Sequence, residues 1–168
     1  MDLRAFFLEQ LEREATASHK ALERFPEGKG DWKPHERSAT LGFLASLVAT
    51  IPGWTEFMIQ KDGLDLDDPS SELFKTRALG DKAELLTLLD EGVGKARREL
   101  ERTTEEHLMK PWKFKMGGRT MNQEPRYRMI SNGVFSHLAH HRGQFTVYLR
   151  LNEASVPALY GPSADEQH

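Results

Sequence analysis

Phe135-Ser136-His137-Leu138-Ala139-His140-His141-Arg142-Gly143-Gln144 is the stretch on which the reading of this chain turns. His137 and His141 are four residues apart, so on a helix their rings stand one turn above the other. Pro125 suits the first position of such a helix, which extends to about Asn152. A stripe of Ile130, Val134, His137, His141, Gln144 or Phe145, and Tyr148 at helical spacing predicts that both imidazoles face the interior. Two neutral imidazoles in that register can share one divalent ion. The competing reading makes them core histidines, each satisfied by hydrogen bonds. His140 is rotated about 100° from His141 and falls at the edge of the helix packing. Arg142 reads equally as a solvent-facing or a dimer-edge charge, and Trp54 and Tyr148 as core aromatics or pocket walls.

Three more helical segments lie upstream. Leu3, Phe7, Leu11, Ala15, Ser18, Leu22 and Phe25 form a stripe behind Asp2, predicting a helix from about Asp2 to Arg24. Leu41, Leu44, Val48, Ile51, Thr55 and Met58 follow a Ser38 or Thr40 cap, with Pro52 predicting a kink. Leu85, Leu86, Leu89, Val93, Ala96 and Leu100 follow Asp81 and Glu84, a capping-box variant. The acidic linker from Asp62 to about Gly80 is too long for a tight turn and predicts a crossover between helices two and three. Trp112 to Met121 alternates around Gly117-Gly118, a small hairpin signal. These elements predict an all-α domain spanning 1–168: a four-helix bundle with a long crossover between helices 2 and 3 and a β-hairpin before helix 4. The tail from about residue 163 is expected to be loosely ordered.

Composition narrows the function. The 168 residues contain no cysteine, which excludes disulfides, cysteine-ligated zinc and a protein thiol nucleophile. A net charge of −3 with both signs mixed gives no footprint for nucleic acid. With no run of about 18 apolar residues and no leader pattern at the start, no membrane segment or signal peptide is expected, and a cytoplasmic location is. Phe135, Leu138 and Leu149 form a second apolar side on helix four, which suggests a homodimer.

His137-Leu-Ala-His-His141-Arg-Gly-Gln144-Phe-Thr-Val-Tyr148-Leu-Arg-Leu-Asn152, with Val156-Pro-Ala-Leu-Tyr160-Gly-Pro-Ser-Ala-Asp165-Glu behind it, resembles the C-terminal signature of the DinB (YfiT-like) family. Trp32-Lys-Pro-His35, Leu41-Gly-Phe-Leu-Ala45 and Ile51-Pro-Gly-Trp54 match in register. The resemblance implies a four-helix bundle, commonly dimeric. It also implies a metal site of three histidines, one on helix two and an HxxxH pair on helix four, which His137 and His141 match. It further implies metal-dependent chemistry, a hydrolase or small-thiol-dependent transferase. The ion would be zinc or nickel, and with no cysteine in the chain any thiol would be an external low-molecular-weight one. The substrate would be an unidentified small molecule.

The chain departs from that pattern at Leu47, where the resemblance places the helix-two histidine. Leucine cannot ligate, and two protein donors hold an ion several kcal/mol more weakly than three, on a scale of roughly 10–16 kcal/mol for complete zinc sites. His19, His35, Glu56 or a carboxylate near the hairpin could supply a third donor; the ion could be held weakly with waters; or the pair could be metal-free. Leu47, Trp54, Gln144 and Tyr148 are the candidate pocket residues. The alternative reading is therefore a metal-free small-molecule-binding or interaction module.

Overall fold

The computed structural model describes residues 2–69, 71 and 76–167. Asp2 accepts hydrogen bonds from the backbone N–H groups of Arg4 (2.9 Å) and Ala5 (3.3 Å), opening helix α1, Leu3–Leu22. Thr40 does the same for Phe43 N–H (3.2 Å) ahead of α2, Leu41–Thr50. Pro52 cannot donate to the ladder, and the predicted kink is a single 3₁₀ turn, Ile51–Gly53, before α3, Trp54–Gln60. Strand β1, Gly63–Asp65, follows. Asp81 accepts from Glu84 N–H (2.8 Å) to open α4, Lys82–Arg102, and Thr104 from His107 N–H (3.1 Å) to open α5, Glu105–Met109. Strands β2, Pro111–Met116, and β3, Arg119–Pro125, form the predicted hairpin, turned by Gly117 and Gly118 at φ 57° and 75°. The last long segment is α6, Arg126–Ile130, a π-helical turn, Ser131–Ser136, and α7, His137–Leu151.

The fold is mostly helical but not all-α. Strand β1 pairs in parallel with β2, making a three-stranded sheet in the order β1-β2-β3. Only three residues long with one buried side chain, Leu64, it carries too little alternation to announce itself.

Cross-helix contacts set the directions. Glu12 pairs with Arg97 near the middle and Arg4 reaches the Thr103 carbonyl (3.5 Å) at the end, so α1 and α4 are antiparallel. Leu79 N–H donates to Ser46 Oγ (2.9 Å) and Gln60 to Glu99 (3.1 Å), so α2 and α3 run parallel to α4. That parallel pairing is what the long linker allows; its residues 70 and 72–75 lie outside the described residues. Gly53 and Gly92 let these backbones meet, since a Cβ on Gly53 would stand 3.2 Å from Gly92 Cα. Phe7 stacks on Phe135 and Phe25 on Phe145, so α7 runs parallel to α1. Trp54 against His137 and Trp32 against Tyr148 show it antiparallel to α2 and α3.

The carbonyls ending α3 are answered by buried side chains. Arg126 donates to Met58 O (2.7 Å), His107 O (2.8 Å), Lys61 O (3.1 Å) and the Asp62 carboxylate (2.6 Å), while the His107 ring bonds Ile59 O (2.8 Å). Cationic donors at a helix C-terminus satisfy orphan acceptors and complement the dipole.

One expectation is corrected here. Leu41–Gln60 is long and apolar enough to cross a membrane although it holds no unbroken apolar run; 67% of its most apolar window is buried within the protein, as core helices are. The chain end makes hydrogen bonds and ion pairs to the rest of the protein. The Asp165 carboxylate accepts from Val156 N–H (2.7 Å) and pairs with Arg150, and Glu166 accepts from Ala158 N–H (3.0 Å) and pairs with Arg24 (2.6 Å).

Candidate functional site

The π-helical turn decides which way the last helix faces. Here the His137 N–H bonds to Asn132 O, five residues back, so this turn holds more residues than an α-turn. The helix face is re-aimed accordingly. Buried residues run Arg126, Ile130, Val134, Leu138, Arg142, Phe145 and Leu149, mostly four apart, where an uninterrupted α-helix would bring in His137 and His141. His137, His141 and Tyr148 are therefore half-buried at the rim, and Gln144 is exposed, rather than core-facing. The same shift removes the argument for a homodimer from Phe135, Leu138 and Leu149, because that face is the core. Outward, α7 presents Val147 and Leu151.

At the rim the two imidazoles meet. His137 Nε2 and His141 Nε2 are 2.8 Å apart, with ring centroids at 4.5 Å. The far side of each ring is held: His141 Nδ1 donates to Gln144 Oε1 (2.9 Å), and the His137 ring hydrogen-bonds the backbone of Gly133 inside the π-turn. With Nδ1–H committed to Gln144, His141 presents its Nε2 lone pair to His137. With its own N–H turned to the Gly133 backbone, neutral His137 also presents an Nε2 lone pair, so the 2.8 Å contact calls for a proton or another cation between the two nitrogens. Burial lowers both ring pKa values from 6.5, assisted at His137 by the neighbouring His141 and opposed by the Gly133 bond; Gln144 opposes the shift at His141. Both rings are thus neutral at pH 7, the form that ligates.

The pair fits a divalent ion in part. Two nitrogens at about 2.0–2.1 Å from one ion stand about 2.9 Å apart at a right angle and about 3.4 Å apart at a tetrahedral one. The observed 2.8 Å is close to the first. No third protein donor joins them among the described residues. His19 faces Glu23 (3.5 Å), His35 Nδ1 accepts from Arg37 N–H (3.1 Å), and Glu56 lines the cavity beside Trp54, which neither histidine lines. Glu124, the carboxylate of β3, lines a separate cavity beside Phe6 and Arg128.

Of the other pocket candidates, Gln144 and Trp54 belong to the site. The Trp54 ring lies 5.4 Å from His137, tilted by 47°, and also lines a cavity of about 230 Å³ with Phe57, Leu88 and Gly92. Tyr148 stands edge-on to Trp32 (5.4 Å). Leu47 is 8% exposed and part of the core of α2, which packs on α7. His140 is exposed beside His141, ring centroids 4.9 Å apart.

Sequence reasoning misses the strongest polar cluster. Arg142 is 1% exposed, not solvent-facing. It donates to Glu14 O (3.0 Å), Ser18 Oγ (3.0 Å), the Glu14 carboxylate and Tyr160 Oη, and Tyr160 donates to Glu14 Oε2 (2.6 Å). Burial raises the Glu14 pKa, but Tyr160 and Arg142 together hold it below 4.5. The available signal was an acid three residues after Leu11 and an arginine four after Leu138, each on an apolar stripe. Two inward charges of opposite sign on different helices point to a buried pair.

A comparison with curated proteins gives no significant match. The crystal structure of the DinB-like protein YjoA from Bacillus subtilis superposes with a TM-score of 0.65 at 18% identity, covering 96% of this chain and 97% of that one, which establishes a common fold. The DinB superfamily profile matches residues 10–145, most of the chain, from within α1 to within α7, including the π-turn and His137 and His141. This chain therefore belongs to the DinB superfamily.

Proposed function

We propose that this chain is a metal-dependent DinB-type enzyme, a hydrolase or small-thiol-dependent transferase, with His137 and His141 holding a divalent ion such as zinc or nickel. One observation carries the reading: the two Nε2 atoms converge at 2.8 Å while each ring is tied down from behind, His141 by Gln144 and His137 by the Gly133 backbone. Such outer partners orient metal-ligating histidines. When bound, the ion would lower the pKa of a water or an external thiol and supply a nucleophile at neutral pH. His137 and His141 would hold that ion, Gln144 would keep His141 in the Nδ1–H tautomer, and Trp54 would wall off one side. Within this reading the long helical segments form the family's four-helix bundle, and the protein is a homodimer acting on a small molecule.

A metal-free binding module is the second reading. It is favoured by Leu47, an apolar core side chain where the resemblance calls for a third histidine, and by the Trp54 cavity.

Elemental analysis of untagged protein, with thermal shift on adding zinc or nickel, separates the two. Metal near one per chain, or a clear shift at about 100 times a micromolar-range dissociation constant, is expected. Less than about 0.1 metal per chain with no shift at that excess leaves the second reading.

A further inference from the structure

We infer that the cavity between the start of α1 and the π-helical turn binds a small zwitterion with an apolar side chain, the chemistry of a hydrophobic α-amino acid. Neither His137 nor His141 lines this cavity, so the inference goes beyond the metal-dependent reading and does not depend on it. Its volume of about 400 Å³ is in the range of small-molecule sites. One wall is aromatic. Phe7 is 1% exposed, and Phe6 meets it edge-on (5.5 Å) while remaining 44% exposed, a surface for a ligand's hydrocarbon. The other wall is polar. Arg128, Ser131 and Asn132 are three and four residues apart and share one helix face, offering guanidinium, hydroxyl and amide donors, a set that recognises a carboxylate. Glu124, near the end of β3, adds an acceptor of opposite charge for an ammonium group.

Among the described residues, none of these four polar side chains makes a hydrogen bond or ion pair, and Glu124 and Arg128 do not pair with each other. Arg126 and Arg142, by contrast, donate to acceptors inside the protein. One positive and one negative group left without internal partners, beside an aromatic wall, complement a molecule that carries both charges and an apolar body. Ser131 and Asn132 also open the π-helical turn, a distortion that recurs at functional sites.

Calorimetric titration of the untagged full chain with L-phenylalanine, 3-phenylpropionate and phenethylamine tests the inference, because the last two each lack one charged end. L-phenylalanine should bind, and each of the others about tenfold or more weakly. Arg128→Ala should weaken L-phenylalanine about tenfold and leave phenethylamine unchanged; Glu124→Gln should weaken L-phenylalanine similarly and leave 3-phenylpropionate unchanged. Both variants should keep the wild-type melting temperature, since neither side chain has an internal partner to lose. His137→Ala with His141→Ala should bind L-phenylalanine as the wild type does, so this inference and the metal-dependent reading fail separately. Absence of binding by both L-phenylalanine and L-leucine at millimolar concentration overturns the inference. So does equal affinity for 3-phenylpropionate, or binding that neither variant weakens.

Discussion

His141 and Arg142 are adjacent in sequence and point about 100° apart on the same helix, and they belong to opposite kinds of polar site. Arg142 and Glu14 are sealed from water, and each of their polar atoms described above meets a partner inside the protein. His137 and His141 are half-exposed, and their two nitrogens are turned on each other. A satisfied, enclosed cluster binds helices together; the converging pair at the rim is the one we propose holds an ion. Burial and the direction of lone pairs, not residue type, distinguish the two.

Breaking the sealed cluster should have the largest effect. Arg142→Ala removes the buried cation from the Glu14 carboxylate, leaving it only Tyr160 and the exposed Arg13, and should cost about 3 kcal/mol in urea unfolding. Replacing both partners, Glu14→Leu with Arg142→Met, should recover most of that loss; if the double variant is as unstable as the single one, the pair is not an isolated unit. At the rim, His137→Ala with His141→Ala should change stability by less than about 2 kcal/mol while reducing divalent-metal affinity about 100-fold, read by equilibrium dialysis. A collapse of the fold instead would make the histidines structural and erase the contrast.

Smaller changes sharpen the comparison. Tyr160→Phe removes one hydroxyl from the edge of the Glu14–Arg142 cluster, where the tyrosine itself is exposed, and should cost about 1 kcal/mol with metal binding intact. Gln144→Ala should lower metal affinity about tenfold by freeing the His141 ring, with little change in melting temperature. The smallest effect is in pH dependence. Both histidine pKa values lie below 6.5 in the folded state, so the unfolded chain takes up protons first. Metal-free protein should then lose stability as pH falls through about 6.5, and stop losing it below the folded-state values. Glu14 is held below 4.5, so its contribution is complete above that value and disappears only as pH falls through the lower folded-state one. His137→Phe with His141→Phe should flatten the first window and leave the second; urea midpoints across pH 3–8 would show it.

Much of this protein is legible locally. The caps at Asp2, Thr40, Asp81 and Thr104 fulfil their side-chain chemistry, Pro52 interrupts its helix, and Gly117-Gly118 turns the hairpin. The HxxxH spacing places two imidazoles together because four residues make about one turn wherever the helix points.

Which way the helix points is a different kind of fact. The π-turn at Ser131–Ser136 moves the core face onto Leu138, Arg142 and Phe145, and no local pattern marks a turn whose extra residue is stabilised by packing on its neighbours. Strand β1 exists only because β2 lies beside it, and Arg142 is buried only because Glu14 and Tyr160 arrive from distant parts of the chain. Local chemistry, acting within one or two turns, determined the helices, their caps and the histidine spacing. Burial and partnership join residues more than a hundred positions apart, so the tertiary structure alone decided which polar groups are enclosed and which face outward.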